Sequence, residues 1–329
     1  MSTPGVSIVV PLHDAAGTVI ETLEAVRAQT CQDWELIVVD DASRDGGPDL
    51  VRSWSRRVDC PVTILETPSA TALGPSATRN RGLRAADAAL VAFLDADDLW
   101  DPAFLDRRLP LLVDDPSVAL GWGPARYWYP DDPDLDFDQP TGVGPSRWTF
   151  TPAGPLAAWL TDLRHTPCPS ASLFRRQALL AVGGFPEDLR RGEDVAACLL
   201  VAADHPTAYD PDVLVDYRRH AASSTSSAGP DRQREEDLAF GRWLIDWIGT
   251  RPDLGSLRPL ALRCLHDLAH RAVDGLPYLR GRWRLTRTVL AQPGARRHWW
   301  AVALDWVLPL AWSRRVAGRL QAAVGHDGH

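Results

Sequence analysis

Val91-Ala-Phe-Leu-Asp95-Ala-Asp97-Asp98-Leu-Trp100 carries the strongest structural signal in this chain. Its first four residues are apolar and predict a buried strand, and three carboxylates follow where that strand ends. Carboxylates this close repel one another unless a cation lies between them. A hard divalent metal ion that also binds phosphate oxygens meets this need. Helix capping by Asp97 or Asp98 is the alternative, but one cap needs only one acid.

Strands and helices alternate through the first hundred residues. Apolar, β-branched runs predict strands at 6–11, 36–39, 62–65 and 90–94. Helical patterns separate them at 18–29, 48–57 and 76–86. We therefore expect an α/β fold with a mostly parallel sheet covered by helices on both faces. In such sheets ligands bind beyond the carboxyl ends of the strands, where Asp40, Asp41, Asp95 and Asp97 all fall.

Composition excludes several other classes of protein. The chain has 329 residues, is 45% hydrophobic and carries a formal net charge of -8. Its length and hydrophobic content predict a globular protein. Its negative charge predicts that it does not bind nucleic acid. Its five cysteines are scattered and form no C-x-x-C pair, which argues against a disulfide framework or a zinc site. We expect a cytoplasmic protein with neither a signal peptide nor a membrane-spanning helix.

Two residue types are conspicuous by their rarity. The chain has no lysine, and its only asparagine is Asn80, within the polar segment 76–82. This bias against lysine and asparagine resembles a high-GC coding background. An asparagine that is present in spite of the bias suggests that an amide is needed at position 80. An ordinary local turn is the alternative.

A second block covers residues 167–220. It predicts a strand at 172–175, a turn at Gly183-Gly184, a helix opened by Glu193-Asp194 and a strand at 213–217. A Ser- and Ala-rich loop is expected at 221–230. After the loop, apolar residues recur at helical spacing, and the simplest interpretation is that they form the packing faces of helices. We expect one domain at 1–225 and a C-terminal helical region at 226–329.

The chain contains several short motifs in a specific order. They are Val6-Ser-Ile-Val-Val-Pro11, Glu35-Leu-Ile-Val-Val-Asp40-Asp41-Ala-Ser43, Arg79-Asn80-Arg81-Gly82, Leu94-Asp95-Ala-Asp97-Asp98, Gly183-Gly184-Phe185, Glu193-Asp194 and Tyr217-Arg218-Arg219-His220. In this order and spacing the chain resembles the family 2 glycosyltransferases of GT-A fold, over roughly residues 5–225. The resemblance implies a GT-A domain, here with a C-terminal α-helical extension.

The resemblance also implies a nucleotide-sugar donor and a metal ion. Asp97 would hold Mn²⁺ or Mg²⁺, which neutralises the leaving diphosphate, and His220 would add a metal or phosphate contact. A purely structural role for His220 is the alternative. The other donor contacts implied are Asp95 to the ribose or sugar, Asp41 to a base N–H, Pro11 and His13 lining the base pocket, and Arg79 near the phosphates. The family more often has Tyr-Asn where this chain has His13-Asp14.

On the acceptor side the resemblance implies an inverting transfer. Inversion needs one general base to remove the proton of the attacking hydroxyl, and Asp194 holds that position. Glu193 would orient the acceptor. Simple stabilisation of a helix N-terminus by this acidic pair is the alternative.

Missing motifs narrow the function further. Processive synthases of this family carry Q-x-x-R-W, whereas the three Arg-Trp pairs here, at 147, 242 and 282, lack the glutamine. We therefore expect transfer of a single sugar, with UDP-sugar as the favoured donor, in assembly of a cell-surface glycan. A signalling receiver domain would need a lysine, and a sugar nucleotidyltransferase would need a glycine-rich phosphate loop after Pro11. A catalytically silent glycosyltransferase-like scaffold stays open.

The C-terminal region 281–320 combines basic and aromatic residues. Eight arginines oppose the single acid Asp305, and a Trp-rich segment lies between them that is too short to span a bilayer. Two interpretations stand equally. The region either lies on the inner face of the plasma membrane near a lipid-linked acceptor, or packs into the helical region or a homodimer interface.

Overall fold

A computed structural model describes residues 4–68, 71–219 and 229–270 of the chain. The strands are β1 (Val6–Leu12), β2 (Trp34–Asp40), β3 (Val62–Glu66), β4 (Leu90–Phe93), β5 (Leu99–Trp100), β6 (Leu120–Trp122), β7 (Arg126–Trp128), β8 (Phe137–Asp138), β9 (Trp148–Phe150), β10 (Ser172–Arg175), β11 (Thr207–Tyr209) and β12 (Val215–Arg218). The helices are α1 (Val19–Arg27), α2 (Gly47–Ser55), α3 (Pro75–Ala85), α4 (Phe104–Arg108), α5 (Pro110–Val113), α6 (Leu156–Thr161), α7 (Arg176–Ala181), α8 (Glu193–Asp204), α9 (Pro230–Gly249) and α10 (Arg258–His270).

The central sheet has eight strands in the order β3-β2-β1-β4-β10-β6-β11-β9. The first four are parallel to one another, and β6 and β11 run in the same direction. Only β10, between β4 and β6, and β9, at the edge, run the other way. The predicted mostly parallel α/β sheet is thus confirmed, and the carboxyl ends of β1, β2 and β4 lie at one edge.

Both faces of this sheet are buried. Val9 of β1 belongs to one hydrophobic cluster, whereas its neighbours Ile8 and Val10 belong to the other. This division follows from the period of two along a strand, which points successive side chains to opposite faces. A continuous apolar run such as β1 is therefore what a doubly covered sheet requires.

Helix α3 approaches β1 closely through Gly82. A Cβ atom placed on this glycine would lie 2.3 Å from a methyl carbon of Val9, closer than any real contact. Because Gly82 has no side chain, the helix packs directly on the strand. This contact fixes the position of Arg79, which lies one helical turn earlier. The glycine of the Arg79-Asn80-Arg81-Gly82 motif thus positions that arginine.

A second, four-stranded sheet in the order β5-β12-β7-β8 was not predicted. Its strands are two to four residues long and come from distant parts of the chain. Strand β12 pairs antiparallel with β5, so residues just after the carboxylate cluster lie beside 215–216. The second sheet therefore brings the end of β12 to the predicted site.

The helices after residue 229 pack against the core of the main sheet. Phe240, Leu244 and Ile248 of α9 and Ala261 and Leu268 of α10 are buried in the cluster that contains Val9. The apolar stripes are thus packing faces, as expected. The predicted domain boundary at 225/226 and most of the Ser-rich loop lie outside the described residues, as does the Arg- and Trp-rich region 281–320. Within the described part of the chain, no helix is long and apolar enough to cross a membrane.

Candidate active site

The predicted donor-site residues lie along one edge of the main sheet. Pro11 is in β1 and His13 directly follows it, Asp41 directly follows β2, and Asp95 and Asp97 follow β4. The backbone N–H of Asp98 donates to the carbonyl of Asp95 at 3.0 Å, which closes a tight turn over this cluster. Parallel strands therefore deliver these side chains to one edge, as the sequence predicted.

Asp98 is the buried centre of the carboxylate cluster. It is fully buried and accepts hydrogen bonds from the Ser170 hydroxyl at 2.6 Å and from the Arg218 backbone N–H at 2.9 Å. Burial, followed by the negative charges of Asp97 and Asp95, raises the pKa of Asp98 well above its usual range. Asp98 thus fastens the turn after β4 to the segment before β10 and to β12.

Arg79 joins the two acidic parts of the site. Its guanidinium donates to both carboxylate oxygens of Asp95, at 2.7 and 3.0 Å, and to Glu193 at 3.1 Å. Burial alone would lower the pKa of Arg79, but the carboxylates of Asp95 and Glu193 outweigh this effect and raise it, so it stays charged. This buried ion pair links the end of β4 to the start of α8.

The acidic pair opens α8, as predicted. Gly192 precedes the helix with φ at 76° and has no side chain to cap it. Within the first turn, Asp194 Oδ1 accepts the backbone N–H of Val195 at 2.8 Å, so this acid also stabilises the helix N-terminus. Burial, followed by the charge of Asp194, raises the pKa of Glu193 to about 7. Burial also raises the pKa of Asp194, although Arg79 opposes the shift. A carboxylate with a raised pKa is a stronger base, which suits proton removal from a hydroxyl.

Asp41 holds the loop before α3. Its Oδ1 accepts the Leu73 N–H at 2.8 Å and the Thr67 hydroxyl at 3.3 Å, and its Oδ2 accepts the Gly74 N–H at 2.8 Å. Asp41 thus ties the start of α3 to the end of β2.

His13 lies beside Asp41 but on the outside of the site. Its Nδ1 is 2.7 Å from the Asp41 carbonyl oxygen, and half of its side chain is exposed. The next residue, Asp14, has φ at 47° and accepts the Arg44 backbone N–H at 2.6 Å. This turn leaves the imidazole half-exposed beside Asp41.

Asn80 uses both ends of its amide, as the rarity of asparagine suggested. Its Nδ2 donates to the Phe185 carbonyl at 2.7 Å and to Glu187 at 2.9 Å, while its Oδ1 accepts the Phe185 N–H at 2.8 Å. Gly184 has φ at 78°, and a Cβ there would lie 2.2 Å from Oδ1. The amide therefore fixes the Gly-Gly-Phe turn against α3 and sets the path of the chain toward Glu193.

Arg218 locks the carboxylate turn from the end of β12. Its Nε donates to the Asp97 carbonyl at 2.7 Å, and a terminal nitrogen donates to Glu21 at 2.5 Å. The guanidinium lies 4.4 Å from the centre of the Trp128 ring. His220 follows two residues later and lies outside the described residues, so its predicted role stays a prediction.

The chemistry of the cluster suits a hard cation. Its donors are carboxylate oxygens, which Mg²⁺ and Mn²⁺ prefer, and its buried acid has a raised pKa that a cation would reverse. No group of three metal-ligating side chains is present among the described residues.

Ser170 is the site residue that the sequence analysis missed. It follows Pro169 in a 3-10 turn before β10 and is separated from the carboxylates by more than 70 positions. Nothing in its local sequence distinguishes it from a turn serine. Only the antiparallel pairing of β10 with β4 brings it to the cluster.

The sequence has well-defined relatives. A profile of the family described as Glycosyl transferase family 2 matches residues 7–183. The putative teichuronic acid biosynthesis glycosyltransferase TuaG of Bacillus subtilis is 33% identical over 114 residues, which are 34% of this chain and 43% of TuaG. The Escherichia coli UDP-Glc:alpha-D-GlcNAc-diphosphoundecaprenol beta-1,3-glucosyltransferase WfgD is 32% identical over 33% of this chain and 41% of WfgD. The chain thus spans less than half the length of these two relatives.

Solved structures show the same fold at low identity. Residues 1–349 of Staphylococcus aureus TarS with UDP-GlcNAc align with a TM-score of 0.64 and 16% identity, over 88% of this chain and 81% of that one. The Pyrobaculum calidifontis mannosyltransferase PcManGT with GDP-Man and Mn²⁺ aligns with a TM-score of 0.56 and 21% identity, over 93% and 88%. The fold is therefore GT-A. Because the profile match covers more than half of the chain, and its motifs meet at one edge of this sheet, the chain belongs to glycosyl transferase family 2.

Proposed function

We propose that this protein is an inverting, non-processive glycosyltransferase. It transfers one sugar from a nucleotide-diphospho-sugar, with UDP-sugar as the favoured donor, to a hydroxyl acceptor. The observation that supports this proposal is the Arg79 bridge between Asp95 and Glu193, because it joins the carboxylates at the end of β4 to the acidic pair at the start of α8. Such a transfer requires the donor-binding residues and the general base to lie close together.

The donor side uses the end of the sheet. Asp41, which directly follows β2, accepts a base N–H, and Pro11 and His13 lie beside the base. Asp97 and His220 are the residues that would hold Mn²⁺ or Mg²⁺, which as a Lewis acid neutralises the departing diphosphate. The structure of PcManGT in complex with GDP-Man and Mn²⁺ supports this assignment by analogy.

The acceptor side uses the start of α8. Asp194 accepts the proton of the acceptor hydroxyl as its oxygen forms a bond to the anomeric carbon, and the bond from that carbon to the diphosphate breaks on the opposite face. Glu193, held by Arg79, orients the acceptor without taking the proton. A raised pKa of Asp194 supports its role as the base, because general bases act best when their pKa approaches the working pH.

The acceptor is proposed to be part of a growing cell-surface polysaccharide or glycoconjugate. TuaG is named for teichuronic acid biosynthesis, and WfgD is named for a diphosphoundecaprenol acceptor. A lipid-linked acceptor would explain why the C-terminal segment is basic and rich in Trp. The alternatives for this segment are packing in the helical region or a homodimer interface.

Sedimentation with anionic vesicles tests the membrane contact. The full chain and a form ending at Gln292 are compared at low and high salt, and equal recovery of both in the soluble fraction excludes membrane contact.

A thermal-shift screen tests the proposed activity. UDP-, GDP- and dTDP-sugars are compared with and without Mn²⁺, since a ligand that binds only the folded state raises the melting temperature. We expect a shift with one nucleotide class that requires the metal, followed by donor hydrolysis or transfer on longer incubation. Absence of a shift with every donor would overturn the proposal, and binding without turnover of any donor would leave a silent scaffold.

A further inference from the structure

Arg79 is a buried cation whose two terminal nitrogens donate to acids of the candidate site. Nη2 donates to both carboxylate oxygens of Asp95 at 2.7 and 3.0 Å, and Nη1 donates to Glu193 at 3.1 Å. Only 6% of the arginine side chain is exposed, and its guanidinium lies 5.5 Å from the centre of the Phe185 ring. Solvent therefore screens its charge very little, and the charge acts mainly on these two acids.

The backbone fixes this cation between the two sides of the site. Asp95 follows β4, and Glu193 opens α8. Arg79 comes from α3, which packs directly on β1 because a Cβ atom on Gly82 would collide with Val9. A donor phosphate would have to compete with the carboxylates that already accept both terminal nitrogens. The contacts thus favour a role that Arg79 exerts through the acids.

Arg79 has the strongest opposing effect on the protonation of the acidic pair. Burial raises the pKa of Asp194, and Arg79 is the largest of the influences that lower it. Burial, followed by the charge of Asp194, raises the pKa of Glu193 to about 7, and Arg79 is again the largest opposing influence. An arginine close to a carboxyl favours the ionised form of that carboxyl. Without this cation, both acids would hold their protons up to a higher pH.

The other groups around the acidic pair are negative, uncharged or paired. Asp95 adds a negative charge that raises the pKa of Asp194 further. Arg191, two residues before Glu193, forms an ion pair with Asp237 of α9 at 2.7 Å. Burial, to which the charge of Asp194 adds, raises the pKa of three further neighbours, so they stay uncharged at neutral pH: Tyr127 of β7, Cys168 before β10 and Cys198 of α8.

We propose that Arg79 is a positioning residue for the general base of the transfer reaction. Its charge favours the ionised form of the Glu193–Asp194 pair, and its hydrogen bond fixes the orientation of Glu193. The inference rests on the proposed glycosyltransferase function and adds the residue that keeps the base available at neutral pH. Because the same guanidinium holds Asp95, one side chain places the donor-side carboxylate and the acidic pair together.

Carboxyl ¹³C NMR tests the electrostatic part without donor, metal or acceptor. The chain has eight glutamates, so labelling their side-chain carboxyl carbons gives few signals, and Glu193→Gln identifies the Glu193 signal by its loss. Arg79→Gln removes the charge but keeps an amide donor. It should raise the titration midpoint of Glu193 by about one to three pH units, because the cation beside the carboxyl is gone. Arg79→Lys keeps a charge and should stay closer to wild type.

Arg108→Gln is the matched control. Arg108 of α4 is fully buried and lies 3.3 Å from the buried Asp210, so it also belongs to a buried ion pair. Its replacement should lower the melting temperature but leave the Glu193 midpoint unchanged. If Arg79→Gln does not fold, Arg79→Gln/Asp95→Asn is compared with Asp95→Asn, since neutralising both members of a buried pair is better tolerated than removing one. An unchanged Glu193 midpoint after loss of the Arg79 charge would overturn the proposal.

The pH profile of turnover separates positioning from a structural or donor-binding role. With the nucleotide-sugar that gives the largest Mn²⁺-dependent thermal shift, the low-pH side of the Arg79→Gln profile should move to higher pH, because the base must be deprotonated to act. Its loss of turnover should therefore shrink as the pH rises. An equal loss at every pH, or a weaker UDP shift with normal turnover at saturation, would contradict the proposal. Failure of every donor with wild type would instead contradict the proposed function, whatever the NMR midpoints show.

Discussion

The Ser170 hydroxyl donates to the buried carboxylate of Asp98 at 2.6 Å, although 72 positions separate the two residues. The same oxygen accepts the backbone N–H of Asp95 at 3.2 Å. One side chain therefore holds both ends of the carboxylate turn, and it lies in the 3-10 turn just before β10, the strand that runs antiparallel to β4.

Replacing Ser170 by alanine should lower the free energy of unfolding by about 1 to 3 kcal/mol, because a buried carboxylate loses a donor. Urea unfolding measures this loss. Ser172→Ala is the matched control, since Ser172 is equally buried but donates to the neutral Cys168 carbonyl at 2.9 Å. The Ser170 variant should also show a weaker Mn²⁺-dependent nucleotide shift. Equal effects of the two substitutions would contradict the special role of Ser170.

Asp97→Ala should abolish the Mn²⁺-dependent part of the nucleotide shift, because the proposed metal ligand is lost and the diphosphate faces the remaining carboxylates. Thermal shifts with UDP, with and without Mn²⁺, measure the effect. Asp114→Ala removes an exposed acid on another surface and should behave as wild type. A full metal-dependent shift in the Asp97 variant would show that the metal is held elsewhere.

Asp194→Asn should reduce turnover by about 10² to 10⁴, the usual effect of removing a general base. Donor binding should stay intact, because the base acts on the acceptor proton in the transition state. Steady-state rates and the UDP-sugar shift measure the two effects separately. Near-normal turnover would assign the base to another residue, with Glu193 tested next as Glu193→Gln.

Stability should fall as the pH rises from about 4.5 to about 7, the range between the ordinary pKa of Glu193 and its value in the fold. In this range the folded state binds more protons at Glu193 than the unfolded state, so the unfolding free energy decreases with pH. Urea unfolding across this range should show a shallower decrease for Glu193→Gln than for wild type. The raised pKa values of Asp98 and Asp194 persist in the variant and act in the same direction, so only the difference in slope is diagnostic. Identical slopes would contradict the raised pKa.

Asn80→Asp should cost about 2 to 3 kcal/mol of unfolding free energy, because the amide donor to the Phe185 carbonyl is lost and a charge approaches Glu187. Urea unfolding at neutral pH measures it. Gln32→Glu changes an exposed amide in the same chemical way and should cost little. If both variants are equally stable, the Asn80 amide is not the element that fixes the turn.

The parallel half of the sheet could be predicted because its strands are long and apolar. Strand β1 has continuous β-branched residues, and the structure extends the predicted 6–11 by a single residue. The same reasoning located the acidic pair at the start of α8, since a helical pattern follows it. Local periodicity and strand ends were sufficient for these elements.

Contacts between distant segments could not be predicted. The four-stranded sheet is built from very short strands, which carry too little periodicity to detect. The pairing of Arg79 with both Asp95 and Glu193 also depends on tertiary packing, because 114 positions separate Arg79 from Glu193. The sequence predicted that these residues share a site but not which of them touch.

The position of β10 also has a consequence for synthesis of the protein. This strand pairs with β4 on one side and β6 on the other, yet it is made after both of them. Until the ribosome has released residue 175, β4 and β6 each leave an open hydrogen-bonding edge, and such edges recruit strands from other chains. Fragments that stop before β10 are therefore expected to aggregate, and β6 keeps a second open edge until β11 has been made.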